Sequence, residues 1–156
     1  MRRFRRLPRP FSAFFELEVL CRIGEKREAL EQIRAYWGGM IEAGAGTIWE
    51  EYDPKQEGVQ HYAMYGDPYG KSLCHAWGAT PVYILRRYFM GVEPASPGYE
   101  TFRICPETEL FSEFRFETPV KNGIVRILWD GSTLTVYTDR KGGTLYYAGM
   151  EYELKE

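Results

Sequence analysis

Two short runs carry the side chains that could do chemistry. Gly46-Thr47-Ile48-Trp49-Glu50-Glu51-Tyr52-Asp53 sets an indole beside adjacent carboxylates, and Ser72-Leu73-Cys74-His75-Ala76-Trp77-Gly78 follows with an imidazole and a second indole. Carbohydrate chemistry uses these residue types. An aromatic face stacks on the C–H face of a sugar, and a carboxylate holds a hydroxyl or takes a proton from water. Cleaving a glycosidic bond asks for more. Two carboxyl groups must flank the bond, about 5–5.5 Å apart for retention or ~6.5–9.5 Å apart for inversion. Glu50 and Glu51 are sequence neighbours, and neighbours project in different directions on a helix or a strand. They do not make one acid/base pair. By residue type alone, Glu50 reads first as a solvated loop carboxylate and Trp49 as core.

Other chemistries find less support. His75 falls where a helix is expected to open and can bond a substrate hydroxyl or a carboxylate. His61 lies in a polar loop and reads as exposed. Neither has a Cys or Asp in ligand register, so no metal site and no cofactor are expected. Asp53 and Asp67 each precede a proline, which is turn chemistry. Phosphate-loop, dinucleotide and Gly-x-Ser-x-Gly patterns are lacking. The formal net charge of −2 argues against a whole-chain nucleic-acid binder. The arginines at 2, 3, 5, 6 and 9 read as a solvated, partly disordered start. Cys21, Cys74 and Cys105 are widely spaced and odd in number, which fits a reducing compartment and a cytoplasmic location. No apolar run approaches the ~20 residues of a membrane-spanning helix, so no membrane partner is expected.

The elements that must position these residues change character near residue 95. Phe11 to Ile23 is apolar nearly all round and predicts a packed helix ended by Gly24. Lys26 to Ala43 carries Ala29, Leu30, Ile33, Tyr36, Trp37, Met40 and Ile41 at helical spacing and stops at Gly44. Residues 44 to 72 form a long loop. Ser72 to Met90 reads as a third helix, which Pro81 kinks or whose true start it marks. Beyond Gly91, strands are predicted at Tyr99 to Cys105, Leu110 to Glu117, Gly123 to Trp129, Thr133 to Thr138 and within Thr144 to Leu154, with a hairpin at Asp130-Gly131. The expected class is α+β, with helices in residues 1–94 and an antiparallel β-sandwich or sheet in 95–156. The apolar helix faces are too extensive for three helices alone and suggest the end of a larger helical array.

At these residues the chain resembles the end of the catalytic barrel of bacterial α-L-rhamnosidases, glycoside hydrolase family 78. Leu30 to Asp53 and Gly58 to Tyr99 carry the likeness, with Ala-Tyr-Trp-Gly-Gly-Met, Thr-Ile-Trp-Glu-Glu, Ser-Leu-Cys-His-Ala-Trp-Gly and Pro-Gly-Tyr-Glu in order. The tail from about residue 100 resembles that family's C-terminal β-domain. The resemblance implies the last part of an (α/α)6 six-hairpin barrel, inverting hydrolysis of terminal α-L-rhamnosyl residues, and a rhamnose-containing glycoside as ligand. It implies Glu50 as the water-activating base, His75 at the rhamnose pocket and Trp49 close to it. The family's general acid lies earlier in the barrel, so this chain is expected to be inactive by itself, and the missing N-terminal part of the enzyme is its expected partner. Two other readings remain open at this point: a non-catalytic carbohydrate-binding module using Trp129 and Tyr137, and a non-functional remnant of a broken reading frame.

Overall fold

The computed structural model describes residues 10–154, and their side chains from Ser12 onward. The arginine-rich start, read as solvated and partly disordered, lies outside the described residues. The chain divides into two compact units, Met1–Tyr83 and Ile84–Glu156. That division falls ahead of the change in sequence character near residue 95.

The first unit opens with helix α1 (Pro10–Arg22). Gly24 follows it with a φ of +89°, a left-handed conformation that costs glycine nothing. Helix α2 (Lys26–Ile33) continues through a π-helical turn (Arg34–Gly38) into α3 (Gly39–Glu42). The predicted stripe is buried at Ala29, Leu30, Ile33, Tyr36, Trp37 and Met40. Ile41, expected on that stripe, is exposed. The wider π turn shifts the helix register, so the adjacent Tyr36 and Trp37 both face inward and Ile41 turns out. α1 packs against α2 and against a short turn at Ala76–Gly78, burying Ala13, Leu17 and Cys21. Burial pushes the Cys21 thiol up to about 11, which removes its thiolate at neutral pH.

The third helix departs from expectation at its start. α4 spans Thr80–Ile84 and runs on as a π-helical turn, Leu85–Phe89. Pro81 therefore sits in its first turn, where a missing N–H is harmless. Ser72 caps nothing helical, because its backbone is already paired with Glu50. His75 is extended (φ −111°, ψ 101°) rather than helical.

In the second unit, Glu107 N–H donates to Phe89 O at 2.7 Å and Cys105 N–H donates to Gly91 O at 3.1 Å. These bonds tie the end of the π turn and the residues just after it to the segment 105–107. Strands β1 (Glu93–Pro94), β2 (Phe102–Ile104), β6 (Gly143–Tyr147) and β7 (Met150–Glu153) form one sheet in the order β1-β2-β6-β7. Strands β3 (Phe114–Val120), β4 (Gly123–Trp129) and β5 (Leu134–Thr138) form an antiparallel meander. The α+β class holds: helices precede antiparallel-rich sheets. One pairing, β2 with β6, is parallel. The meander is inserted between these two strands, so the chain re-enters the first sheet in β2's direction. Phe102, Ile104, Val120, Val125 and Ile127 are buried, on alternating positions of their strands.

The predicted Asp130-Gly131 turn is present. Asp130 Oδ1 accepts from Thr133 N–H (2.7 Å), Ser132 N–H (2.9 Å) and the Ser132 hydroxyl (2.9 Å). These donors favour the carboxylate and hold its pKa below the ordinary value. A depressed folded-state pKa gives stability that is present above the unfolded value, about 3.9, and lost as pH falls through the folded one. The stability gap between the wild type and Asp130→Ala is therefore expected to narrow below about pH 4. Urea unfolding at pH 6 and at stepwise lower pH measures it, and a gap that widens with acid would contradict the assignment.

Candidate functional site

The two chemistry-bearing runs come together in the first unit. Glu50 N–H donates to Ser72 O at 2.9 Å, and His75 N–H donates to Ile48 O at 2.8 Å. The Thr47 hydroxyl also donates to Leu73 O. Ile48–Glu50 and Ser72–His75 thus lie side by side as a short irregular ladder. Gly78 allows the second run to close against the first: a Cβ there would sit 2.4 Å from Ile48 Cγ2.

Donors reach both oxygens of the Glu50 carboxylate. The Tyr65 hydroxyl donates to Oε1, and Ser72 N–H donates to Oε2 at 3.3 Å. Tyr65 comes from the tip of a tight hairpin at Met64–Asp67. Together these donors fix the orientation of the carboxyl group. His75 is half-buried one segment away and reaches this neighbourhood through the backbone ladder alone.

Trp49 is 3 % exposed. Its ring packs against His61 (centroids 5.5 Å apart) and Tyr62 (6.0 Å). Its ring is enclosed by protein, so it is a core residue next in sequence to Glu50. Tyr36 and Trp37 brace the same region from the π turn: the Tyr36 hydroxyl accepts Tyr52 N–H at 2.9 Å, and Trp37 Nε1–H donates to Gly78 O at 2.8 Å. Gly39 makes room for this, since a Cβ there would meet the Tyr52 ring at 2.5 Å. Trp77, by contrast, is 66 % exposed.

His61 corrects its sequence reading. It is buried rather than exposed, stacked on Tyr52 with an interplanar angle of 15°. Its Nδ1 has no hydrogen-bond partner. The aromatic residues around the loop, which the sequence does show, draw it inward. Lys71 was not singled out by its sequence, which carries no periodic signal there. It is buried, with Nζ 3.4 Å from Gln56 Oε1. Desolvation lowers its pKa, opposed by the charges of Glu51, Asp53 and Glu50. Lys71 thus supplies positive potential beneath a local group of carboxylates. Tyr65 was also missed. Its only sequence signal is the dipeptide Tyr65-Gly66, a poor match to a hairpin's usual Asn-Gly. Asp53 and Asp67 do form turns: their Oδ1 atoms accept the N–H of Lys55 (3.0 Å) and of Tyr69 (2.7 Å). Among the described residues, no cluster of three His, Cys, Asp or Glu side chains could hold a metal ion, and no helix is long and apolar enough to cross a membrane.

A carboxylate with donors on both oxygens, within the charge influence of a buried lysine, is equipped to bind hydroxyls or accept a proton. Among solved structures the chain is similar to the GH78 family rhamnosidase of Bacillus sp. GL1, with a TM-score of 0.67 and 26 % identity. The match covers 87 % of this chain and 15 % of that one, so the chain spans less than a sixth of its neighbour's length. No family model matches the chain, and no curated protein matches it.

Proposed function

We propose that this chain is the C-terminal portion of an inverting α-L-rhamnosidase-like hydrolase, with Glu50 as the base that takes a proton from the attacking water. In this reading residues 1–94 are the end of a six-hairpin barrel, His75 borders the sugar pocket, and Trp49, close to it, stiffens the segment that carries Glu50. The observation that carries the proposal is the Glu50 carboxylate, held on both oxygens by Tyr65 and Ser72 within the ladder that also fixes His75. The likeness to a GH78 rhamnosidase supports the substrate class.

A positioned base contributes ~10²–10⁴-fold to such a step. The reading supplies no partner acid within these 156 residues, so the chain alone is expected to release no measurable phenol from an aryl α-L-rhamnoside. Turnover near the ~10 s⁻¹ of ordinary enzymes, abolished by Glu50→Gln, would overturn the fragment reading. Binding is read separately by titrating labelled protein with millimolar L-rhamnose. Shifts at Glu50, Ser72 and His75 are expected. Shifts confined to Trp129 and Tyr137 would favour a carbohydrate-binding module instead, and none anywhere would count against both.

A further inference from the structure

Tyr65 occupies a position for which its residue type is poorly suited. Met64 and Asp67 exchange both backbone hydrogen bonds, each 2.9 Å, closing a two-residue hairpin with Tyr65 and Gly66 at its tip. Both tip residues have positive φ, +54° and +83°. That is the pattern of a type I′ turn, in which Asn-Gly is favoured because a bulky side chain strains left-handed backbone. The hairpin is well seated. Asp67 Oδ1 accepts Tyr69 N–H at 2.7 Å, and the chain returns at Gly70 so closely that a Cβ there would lie 2.5 Å from Met64 O. The Tyr65 side chain gains little from burial, since the residue is 69 % exposed. What the strained position achieves is contact between its hydroxyl and Glu50 Oε1. Strain held in a well-determined turn beside a candidate site is a signature of a functional constraint.

We infer that Tyr65 is a positioning residue for Glu50: the hairpin carries its hydroxyl onto one carboxylate oxygen, while Ser72 N–H fixes the other. This inference rests on Glu50 being the working carboxylate. Together the two donors set the plane of the carboxyl group and favour its ionised, proton-accepting form. Lys71 acts on the same carboxylate through its charge, and Glu51 and Asp53 share that cation. None of these three groups is altered by changes at Tyr65, so the hydroxyl's effect can be read separately from theirs.

The test uses the whole chain and follows its glutamate side-chain carboxyl carbons by NMR through a pH titration, with Glu50 assigned from the Glu50→Gln spectrum. Tyr65→Phe keeps the ring and removes the donor. It is expected to raise the Glu50 midpoint by about 0.5–1 unit. Tyr65→Asn is expected to raise that midpoint likewise while increasing the melting temperature by roughly 2–4 °C, because Asn relieves the turn strain. A purely structural tyrosine predicts the reverse, a lower melting temperature and an unmoved midpoint. Midpoints unchanged within about 0.2 unit in both variants, or a melting temperature lowered by Tyr65→Asn, would overturn the inference. The readout is independent of sugar. A shifted midpoint without rhamnose binding would leave Tyr65 positioning a carboxylate of some other use, whereas rhamnose binding with unmoved midpoints would remove only the role of Tyr65.

Discussion

Trp49→Ala is expected to destabilise the first unit by about 3–5 kcal/mol, the usual cost of deleting a large buried aromatic. The indole is 3 % exposed and packs against His61 and Tyr62 beneath the segment that carries Glu50. Its removal leaves a cavity beneath a loop that has little regular structure to hold it. Loop residues cannot refill that space without breaking the pairings Ile48–His75 and Glu50–Ser72. Domains of this size have roughly 5–15 kcal/mol of stability in all, so the variant should melt far below the wild type or show an early partial transition. The control is Trp77→Ala. That side chain is 66 % exposed, and its loss should stay within about 0.5 kcal/mol. Chemical unfolding followed by far-ultraviolet circular dichroism compares the two. Equal effects would mean that Trp49 is not the prop of the loop.

Gly91→Ala is expected to have a comparable effect on the second unit. Gly91 has a φ of +64°, and a Cβ there would lie 2.1 Å from Cys105 O and 2.7 Å from Cys105 N. The obstacle is backbone, which a rotamer change cannot move aside. The left-handed conformation itself costs an L-residue about 1–2 kcal/mol, and the overpacking adds about 1–3 kcal/mol. The contact also carries a hydrogen bond, Cys105 N–H to Gly91 O, and lies next to the Glu107–Phe89 bond. Forcing the segments apart therefore loosens the join between the helical segment and strand β2. Hydrogen exchange should show the loss of protection first at Cys105 and Glu107, with the β3–β5 meander less affected. Gly98→Ala is the comparison: its φ is +67°, but nothing lies within 4 Å of its Cβ position. It should show the conformational cost without the clash.

Much of the architecture follows from local signals. The stripe from Ala29 to Met40 announces a helix because burial recurs at three and four residues. The run Gly123 to Trp129 announces a strand because burial alternates, and the observed strand has those bounds. Glycines at 24 and 44, both with positive φ, end helices where a side chain would be strained. Asp130, Asp67 and Asp53 form the turns that their short carboxylates favour. These features depend on interactions within a few residues, so the order of side chains along the chain carries them.

The rest required contacts between distant segments. Nothing local marks the π turn at Arg34–Gly38, because the gain comes from seating Tyr36 against Tyr52 and Trp37 against Gly78. Ser72 to Gly78 has helix-compatible residues, yet it is not helical at Ser72 to His75, where its backbone pairs with Ile48 and Glu50 from two dozen residues earlier. His61 has the look of a loop residue and is buried because Trp49 and Tyr52 surround it. Residue types thus sufficed to suggest sugar chemistry and to set the α+β class, while Glu50, Trp49 and His75 were nominated as a site through the family resemblance. The partners of Glu50 and the buried cation at Lys71 were decided only by folding, since each depends on which distant backbone or ring arrives alongside.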